Sequence, residues 1–202
     1  MIRIDDLLRR IRSMAHDRQE IEWSDEDLMM YINDGLRFVR RQVMDIYPSM
    51  LADVELDGVL EPGESEIYAF SPISHIIDMR VDGKRLPIIN PRSIPDTTAK
   101  GKPRAYCLAG HDRVRVWPTP DREAEYSLSA IRDFEPLTLD DEELPVPADL
   151  EDFVYEYCVL RASFTNEFDM TQETQLMATI VQGIQTMLRP FTAPGVQLRG
   201  YF

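Results

Sequence analysis

A chain of 202 residues, 44% of them hydrophobic, has the material for one compact domain or for a helical domain carrying an inserted subdomain. Its 22 Lys and Arg against 36 Asp and Glu give a net charge of −14, which excludes a general DNA or RNA coat held by counterion release and disfavours anionic membrane surfaces. No apolar run reaches bilayer length, and the acids and arginines within Met1–Arg12 are unlike a signal or transit peptide.

The chain opens on two helical patterns. Ile4, Leu7, Leu8 and Ile11 recur at helical spacing, with Asp5 and Asp6 at the start and Arg9, Arg10 and Arg12 near the end, an order that suits the helix dipole. Ser24 then predicts an N-cap with Asp27 at N3, and Trp23 can staple onto Leu28. The stripe continues through Tyr31, Ile32, Leu36, Val39 and Val43 until Tyr47-Pro48 ends it. Gly35 inside this helix costs about 1 kcal/mol against Ala and marks close packing against a neighbour.

From Leu51 to Pro147 the period changes to two. Val54–Leu56, Ser65–Tyr68, Val114–Trp117 and Glu125–Ile131 read as strands. Asp82-Gly83 predicts a tight hairpin, Gly110-His111-Asp112 a second turn, and Asn90–Pro103 a mobile loop. Helix returns after Pro145 and Pro147. Asp149 is the expected cap of a stripe running Leu150, Phe153, Val154, Tyr157, Leu160, Phe164 and Phe168. Another helix begins near Thr171, carries Leu176, Met177, Ile180, Val181, Ile184, Met187 and Leu188, and is expected to stop at Pro190. The expected fold is therefore α+β: a helical bundle from residues 1–50 and 148–190, an antiparallel β domain inserted at 51–147, and an extended tail at 191–202. Cys107 and Cys158 fall in apolar patterns and read as buried thiols of a reducing compartment.

Motifs for catalysis are missing: no phosphate loop, no nucleophile elbow, no paired histidines among His16, His75 and His111, and no CxxC. An enzyme using carboxylates and a divalent metal has plentiful acids but no motif to focus them. Asp53-x-Glu55-x-Asp57-Gly58 with Glu64 imitates a calcium loop, and a calcium-binding regulatory protein is the reading it would support. Glu at the third position crowds such a loop, Pro62-Gly63 interrupts the exiting helix, and the surrounding alternation reads as two strands and a turn. The sequence thus calls for no cofactor and no metal.

Two charge features stand out. Between Asp133 and Asp152 lie nine acids (Asp133, Glu135, Asp140, Asp141, Glu142, Glu143, Asp149, Glu151, Asp152) and no Lys or Arg, either a solvated loop or a face that repels DNA or docks a basic partner. Arg37, Arg40 and Arg41 cluster on the second helix, where they complement its dipole or meet the acidic face of a neighbouring subunit. Thr174–Phe202 holds no acid, but carries Arg189 and Arg199 and ends in Tyr201 and Phe202.

Trp23-Ser24-x-x-Asp27-Leu28-x-x-Tyr31-Ile32-Asn33-x-Gly35 followed by Tyr47-Pro48 resembles the opening of tailed-phage head-to-tail connector proteins, the adaptor family that includes the tail tubular protein A type of podoviruses. Glu61-Pro62-Gly63, Asp82-Gly83, Gly101-Lys102-Pro103-x-x-Tyr106, Trp117-Pro118-x-Pro120, and Leu144-Pro145 ahead of Tyr157-x-x-Leu160-Arg161-Ala162 extend the resemblance over nearly the whole chain. The resemblance implies a virion structural protein, without catalysis, that is assembled in the host cytoplasm. It implies a ring, typically a dodecamer, under the portal, a DNA channel without specific DNA binding, and a platform for tail or nozzle proteins. An extended C-terminal segment anchors several members to the portal, and Val196, Leu198, Arg199, Tyr201 and Phe202 match it in position and character. A stopper or nozzle subunit of the same neck is the alternative within this class.

Overall fold

A computed structural model describes residues 2–17, 22–94, 98–164 and 170–192. The chain divides into two units, one of residues 1–51 and 135–202, the other of residues 52–134. The fold is mixed α and β, with four α-helices and antiparallel sheets among the described residues.

In the helical unit α1 spans Ile4–Met14 and α2 spans Asp25–Ile46. Ile4, Leu7, Leu8 and Ile11 are buried, as are Leu28, Tyr31, Ile32, Leu36, Val39 and Val43, so both apolar stripes face the core. Ser24 and Asp27 close a full capping box at the start of α2: Ser24 Oγ accepts from the Asp27 N–H at 3.1 Å and Asp27 Oδ2 accepts from the Ser24 N–H at 3.1 Å. Such a cap stabilises the helix by about 1 kcal/mol. Trp23 meets the Tyr31 ring edge-on, with centroids 5.6 Å apart.

Helix α3 spans Ala148–Phe164 and α4 spans Met170–Thr192. Asp149 lies inside the first turn of α3 and does not cap it; Pro147 begins the turn, its carbonyl accepting from the Leu150 N–H at 2.8 Å. Pro190 does not stop α4, which runs to Thr192 and so takes in Phe191 and Thr192, the expected start of the tail. Phe191 stacks on Tyr47 with centroids 5.5 Å apart, and this contact holds the last turn. Helix α2 packs on α3 and α4, and α1 and α4 both pack on α3. Gly35 lets α2 pack tightly on α3, since a Cβ there would lie 3.1 Å from Tyr157 Cδ1 and 3.4 Å from the Val154 carbonyl oxygen.

The segment 135–147, expected with the β region, belongs to the helical unit. Leu144 and Val146 are buried, and Arg3 and Glu143 form an antiparallel bridge in which the Ile4 N–H donates to the Glu142 carbonyl at 3.0 Å. These backbone pairings join residues far apart in sequence, and so leave no local periodicity to read.

The β unit holds two antiparallel sheets. Strands β1 (Val54–Leu60), β3 (Ile73–Val81), β4 (Lys84–Arg85) and β7 (Ala124–Arg132) form one in the order β1-β7-β3-β4. Strands β2 (Glu66–Tyr68), β5 (Ala105–Leu108) and β6 (Arg113–Trp117) form the other in the order β2-β6-β5. Inward residues of both sheets, among them Leu60, Met79 and Leu128 from the first and Ile67, Val114 and Val116 from the second, share one apolar core. Asp82 at φ +50° and Gly83 at φ +70° make the tight β3–β4 turn that Asp-Gly announces. β1 and β2, consecutive in sequence, sit in different sheets, and β1 instead pairs with β7 from Val54↔Ala130 to Leu60↔Ala124.

Candidate interaction surfaces

Several residues of the connector-like motifs have structural roles. At the start of α2, Arg12 is 6% exposed, its guanidinium donating to Asp17 Oδ2 at 2.9 Å, to the Trp23 carbonyl at 2.8 Å and to Asp25 Oδ1 at 2.6 Å. Asp17, 3% exposed, also accepts from the Glu22 and Trp23 N–H groups at 3.1 and 3.0 Å. A buried charge pair holds its place only when its remaining hydrogen bonds are met, as they are at Arg12 and Asp17. Sequence reading gave Arg12 only a dipole role; the i, i+5 spacing to Asp17 carries no helical signal.

In the β unit three motif turns converge on Trp117–Pro120, whose Trp117-Pro118 bond is cis. The Gly63 N–H of Glu61-Pro62-Gly63 donates to the Pro120 carbonyl at 2.9 Å, and the Gly101 N–H donates to the Thr119 carbonyl at 2.9 Å. The Arg104 N–H donates to the Trp117 carbonyl at 2.8 Å, and Lys102 Nζ lies 3.3 Å from Asp82 Oδ2, joining the Asp82-Gly83 hairpin to the same cluster. The motif prolines and glycines therefore stitch one corner of the β unit together.

The acidic segment is not a free loop. Asn33 clamps its start: Asn33 Nδ2 donates to the Leu137 carbonyl at 2.9 Å, and the Leu137 N–H donates to Asn33 Oδ1 at 2.7 Å. Its end is held by the bonds to Ile4 and Ile2 and by buried Leu144. Between these anchors Asp140, Asp141, Glu142 and Glu143 are all exposed, and among the described residues none is in an ion pair. The result is a fixed row of carboxylates on a pinned backbone. Beside it a groove of about 470 Å³, lined by Met29, Met30, Arg37 and Leu139 among others, exposes Met30 and Leu139 to about half their surface.

Arg37 and Arg41 are exposed and one helical turn apart on α2, and Arg40 is half-buried. Arg37 Nη1 pairs with Asp34 Oδ1 at 3.2 Å. The last turn of α2 holds no base, because the helix continues to Ile46 beyond these arginines. The dipole field falls off within the last turn, so it does not account for Arg37.

A second groove, of about 430 Å³, lies between α3 and α4. Met14, Tyr155, Val159, Leu160, Leu176 and Ile180 form its apolar lining, and Glu156 is its one carboxylate. Leu176, expected in the α4 core stripe, is 42% exposed in this groove. Burial, with Asp152 next, pushes the Glu156 carboxyl above the usual carboxylate range. The β unit offers the converse feature: Phe70, in the turn between β2 and β3, is 99% exposed.

The calcium-like spacing lies on β1 and the turn after it. Asp53 Oδ1 accepts from the Arg132 N–H at 2.7 Å, Glu55 Oε1 from Ser129 Oγ at 2.6 Å, and Glu64 Oε2 from the Glu61 N–H at 3.2 Å. Extended backbone cannot wrap these oxygens around one ion, and among the described residues no group of three or more His, Cys, Asp or Glu side chains is placed to hold a metal. Cys107 and Cys158 are both buried, and burial pushes both thiols up from their ordinary value. The expected portal-contact residues Val196, Leu198, Arg199, Tyr201 and Phe202 lie outside the described residues.

Comparison with known proteins gives one family: the model of the SU10 adaptor protein family matches residues 2–196. No curated protein matches the chain.

Proposed function

The chain belongs to the SU10 adaptor protein family, a phage head-to-tail adaptor family, and from that premise we propose that it forms a ring beneath the portal, extends the DNA channel and seats the tail proteins. As a member it is a structural component of the virion that contacts other phage capsid or tail proteins. Among the described residues no helix is long and apolar enough to cross a membrane. The observation that carries the reading is the family match along residues 2–196, which takes in both units and the start of the C-terminal segment.

In this reading the acid-rich chain suits a conduit. DNA must slide through without being held, and carboxylates do not retain phosphates as a basic lining would. The C-terminal residues Val196, Leu198, Arg199, Tyr201 and Phe202 anchor to the portal, the two aromatic rings filling pockets of the kind that dominate interface energetics. Arg37, Arg40 and Arg41 meet a neighbouring subunit, and the row Asp140–Glu143, a fixed acidic surface on every copy, is the complementary charge.

The test is a low-resolution image of the full chain mixed with portal rings, alongside a chain truncated after Pro194. A ring added under the portal by the full chain, and lost on truncation while the subunit stays folded, supports the reading. A truncated chain that attaches normally refutes the tail role, and a full chain that adds no ring refutes the adaptor geometry.

A further inference from the structure

Helix α4 presents a wider apolar face than its packing covers. Ile180, Ile184 and Leu188 are buried, but Leu176 is 42% exposed and Met187 is half-buried. Leu176, Thr179, Gly183, Thr186 and Pro190 follow one another at spacings of three and four, so they share one flank of the helix, and none is charged. Thr179 Oγ1 donates to the Gln175 carbonyl at 3.1 Å and Thr186 Oγ1 to the Gln182 carbonyl at 2.8 Å, so neither hydroxyl proton needs a partner from outside the helix. The flank starts in the α3–α4 groove, which Leu176 and Thr179 line together with Tyr155 and Val159, and it ends in the last turn of α4.

The chain that continues from that last turn suits this track in direction, length and pattern. Ala193-Pro194-Gly195-Val196 has Pro and Gly at the two central positions that a type II turn prefers, a sequence that reverses the chain and sends it back along α4. Extended, the seven residues Val196–Phe202 reach about 23 Å, and α4 measures about 24 Å from Leu176 to Thr192. Phe202 then comes level with Thr179, inside the groove. The period of two of an extended segment sets Val196, Leu198 and Phe202 on one face, with Gly200 as the gap among them, and Gln197, Arg199 and Tyr201 on the other. The segment brings no acid toward Glu156, the one carboxylate of the groove.

The tether decides the occupant. A segment joined to the helix it docks on meets its groove at an effective concentration of the order of millimolar, so three apolar side chains are enough to hold it. We propose that in the free subunit the chain turns back at Pro194-Gly195 and lays Val196, Leu198 and Phe202 along the α4 flank, with Phe202 in the α3–α4 groove of the same chain. These are residues assigned above to the portal, so the portal has to draw them off their own helix. That last step rests on the tail reading; the contact itself does not.

Disulfide trapping tests the contact on the full-length chain, whose own two thiols are buried. Thr179→Cys with Phe202→Cys, oxidised with diamide in dilute solution, should close an internal disulfide at a rate independent of protein concentration. Met30→Cys with Phe202→Cys is the reference. Met30 lines the other groove of the helical unit, about 25 Å along α2 from Tyr47, on which Phe191 stacks, so the tether reaches it as well. The Thr179 pair should close at least tenfold faster, and adding Leu198→Asp should bring it down to the reference rate. Equal rates for the two pairs, a faster Met30 pair, or a Thr179 pair indifferent to Leu198→Asp overturns the contact. Disulfide-linked dimers that grow with concentration overturn it too, giving the groove to a neighbour's segment. Portal rings added before oxidation should slow closure at least fivefold. Closure unchanged by portal rings overturns the portal's part and leaves the contact standing. A Thr179 pair no faster than the reference, in a chain that loses portal attachment on truncation after Pro194, overturns the contact and leaves the tail reading standing.

Discussion

Asn33 and Leu137 hold each other by two hydrogen bonds, the carboxamide of α2 reading both the N–H and the carbonyl of one residue 104 positions away. The pair does for the acidic segment what a strand partner does for an edge. It satisfies the backbone and fixes the register from which Leu139 and the carboxylates Asp140–Glu143 project. Asn33→Asp keeps the acceptor for Leu137 N–H but sets a carboxylate against a carbonyl, and Asn33→Ala loses both bonds. Each is expected to cost about 2 kcal/mol in urea unfolding, with proteolysis appearing first between residues 135 and 141. Unchanged proteolysis would mean that Leu144 alone anchors the segment.

The buried Arg12–Asp17 pair gives a prediction whose sign separates packing from charge. Asp17→Ala leaves a guanidinium in the core with one carboxylate fewer and two N–H groups unmet, and should cost about 3–5 kcal/mol. Arg12→Met with Asp17→Leu removes both charges and should cost clearly less than Asp17→Ala alone. Thermal melts of the three variants decide it.

Gly35 should tolerate almost nothing larger. Alanine gains about 1 kcal/mol of helix propensity but sets its Cβ 3.1 Å from Tyr157 and close to the Val154 backbone, so the two effects nearly cancel. Leucine cannot fit without parting α2 from α3, and a loss of about 3 kcal/mol is expected from denaturant melts.

Acid should weaken the β unit through Glu66. The Arg115 guanidinium, with the Tyr68 hydroxyl behind it, holds this carboxyl below its ordinary value. A lowered folded value means stabilisation that is complete above the ordinary glutamate value of about 4.3 and is lost as pH falls through the folded one. Glu66→Gln should therefore be less stable than the parent at pH 6 and converge with it below pH 4, as followed by the unfolding midpoint.

Charge reversal at Arg37 and Arg41 addresses the proposed subunit contact directly. Both side chains are exposed, so Arg37→Glu with Arg41→Glu should leave the melting temperature within a degree or two and abolish ring assembly on the portal. Assembly that survives the double reversal removes these residues from the interface.

The helices were legible because their signals are local. The Ser24–Asp27 box, the stripe from Leu28 to Val43 and the Asp82-Gly83 turn each lie within a few residues, and each is present as read. Pro190 misled because the helix runs past it to Thr192, where Phe191 stacks on Tyr47, 144 positions before Phe191, a contact that no local signal announces. Leu176 misled because helical spacing tells which face a residue occupies, but not whether a neighbour covers it. Asn33, Arg12 and the segment 135–147 act through partners that no periodicity encodes, so their roles appear only in the folded chain.

The helical unit is split in sequence around residues 52–134, and that order has a consequence on the ribosome. The β unit is continuous and can complete its β1–β7 pairing as soon as Arg132 has emerged, whereas α1 and α2 must wait for α3. At elongation rates of about 5–20 residues per second, the stretch from Ile46 at the end of α2 to Phe164 at the end of α3 leaves the stripe of α2 bare for roughly 6–24 s. Nascent chains stalled before residue 148 should therefore recruit chaperones through Leu28–Val43, and release them once α3 has been translated.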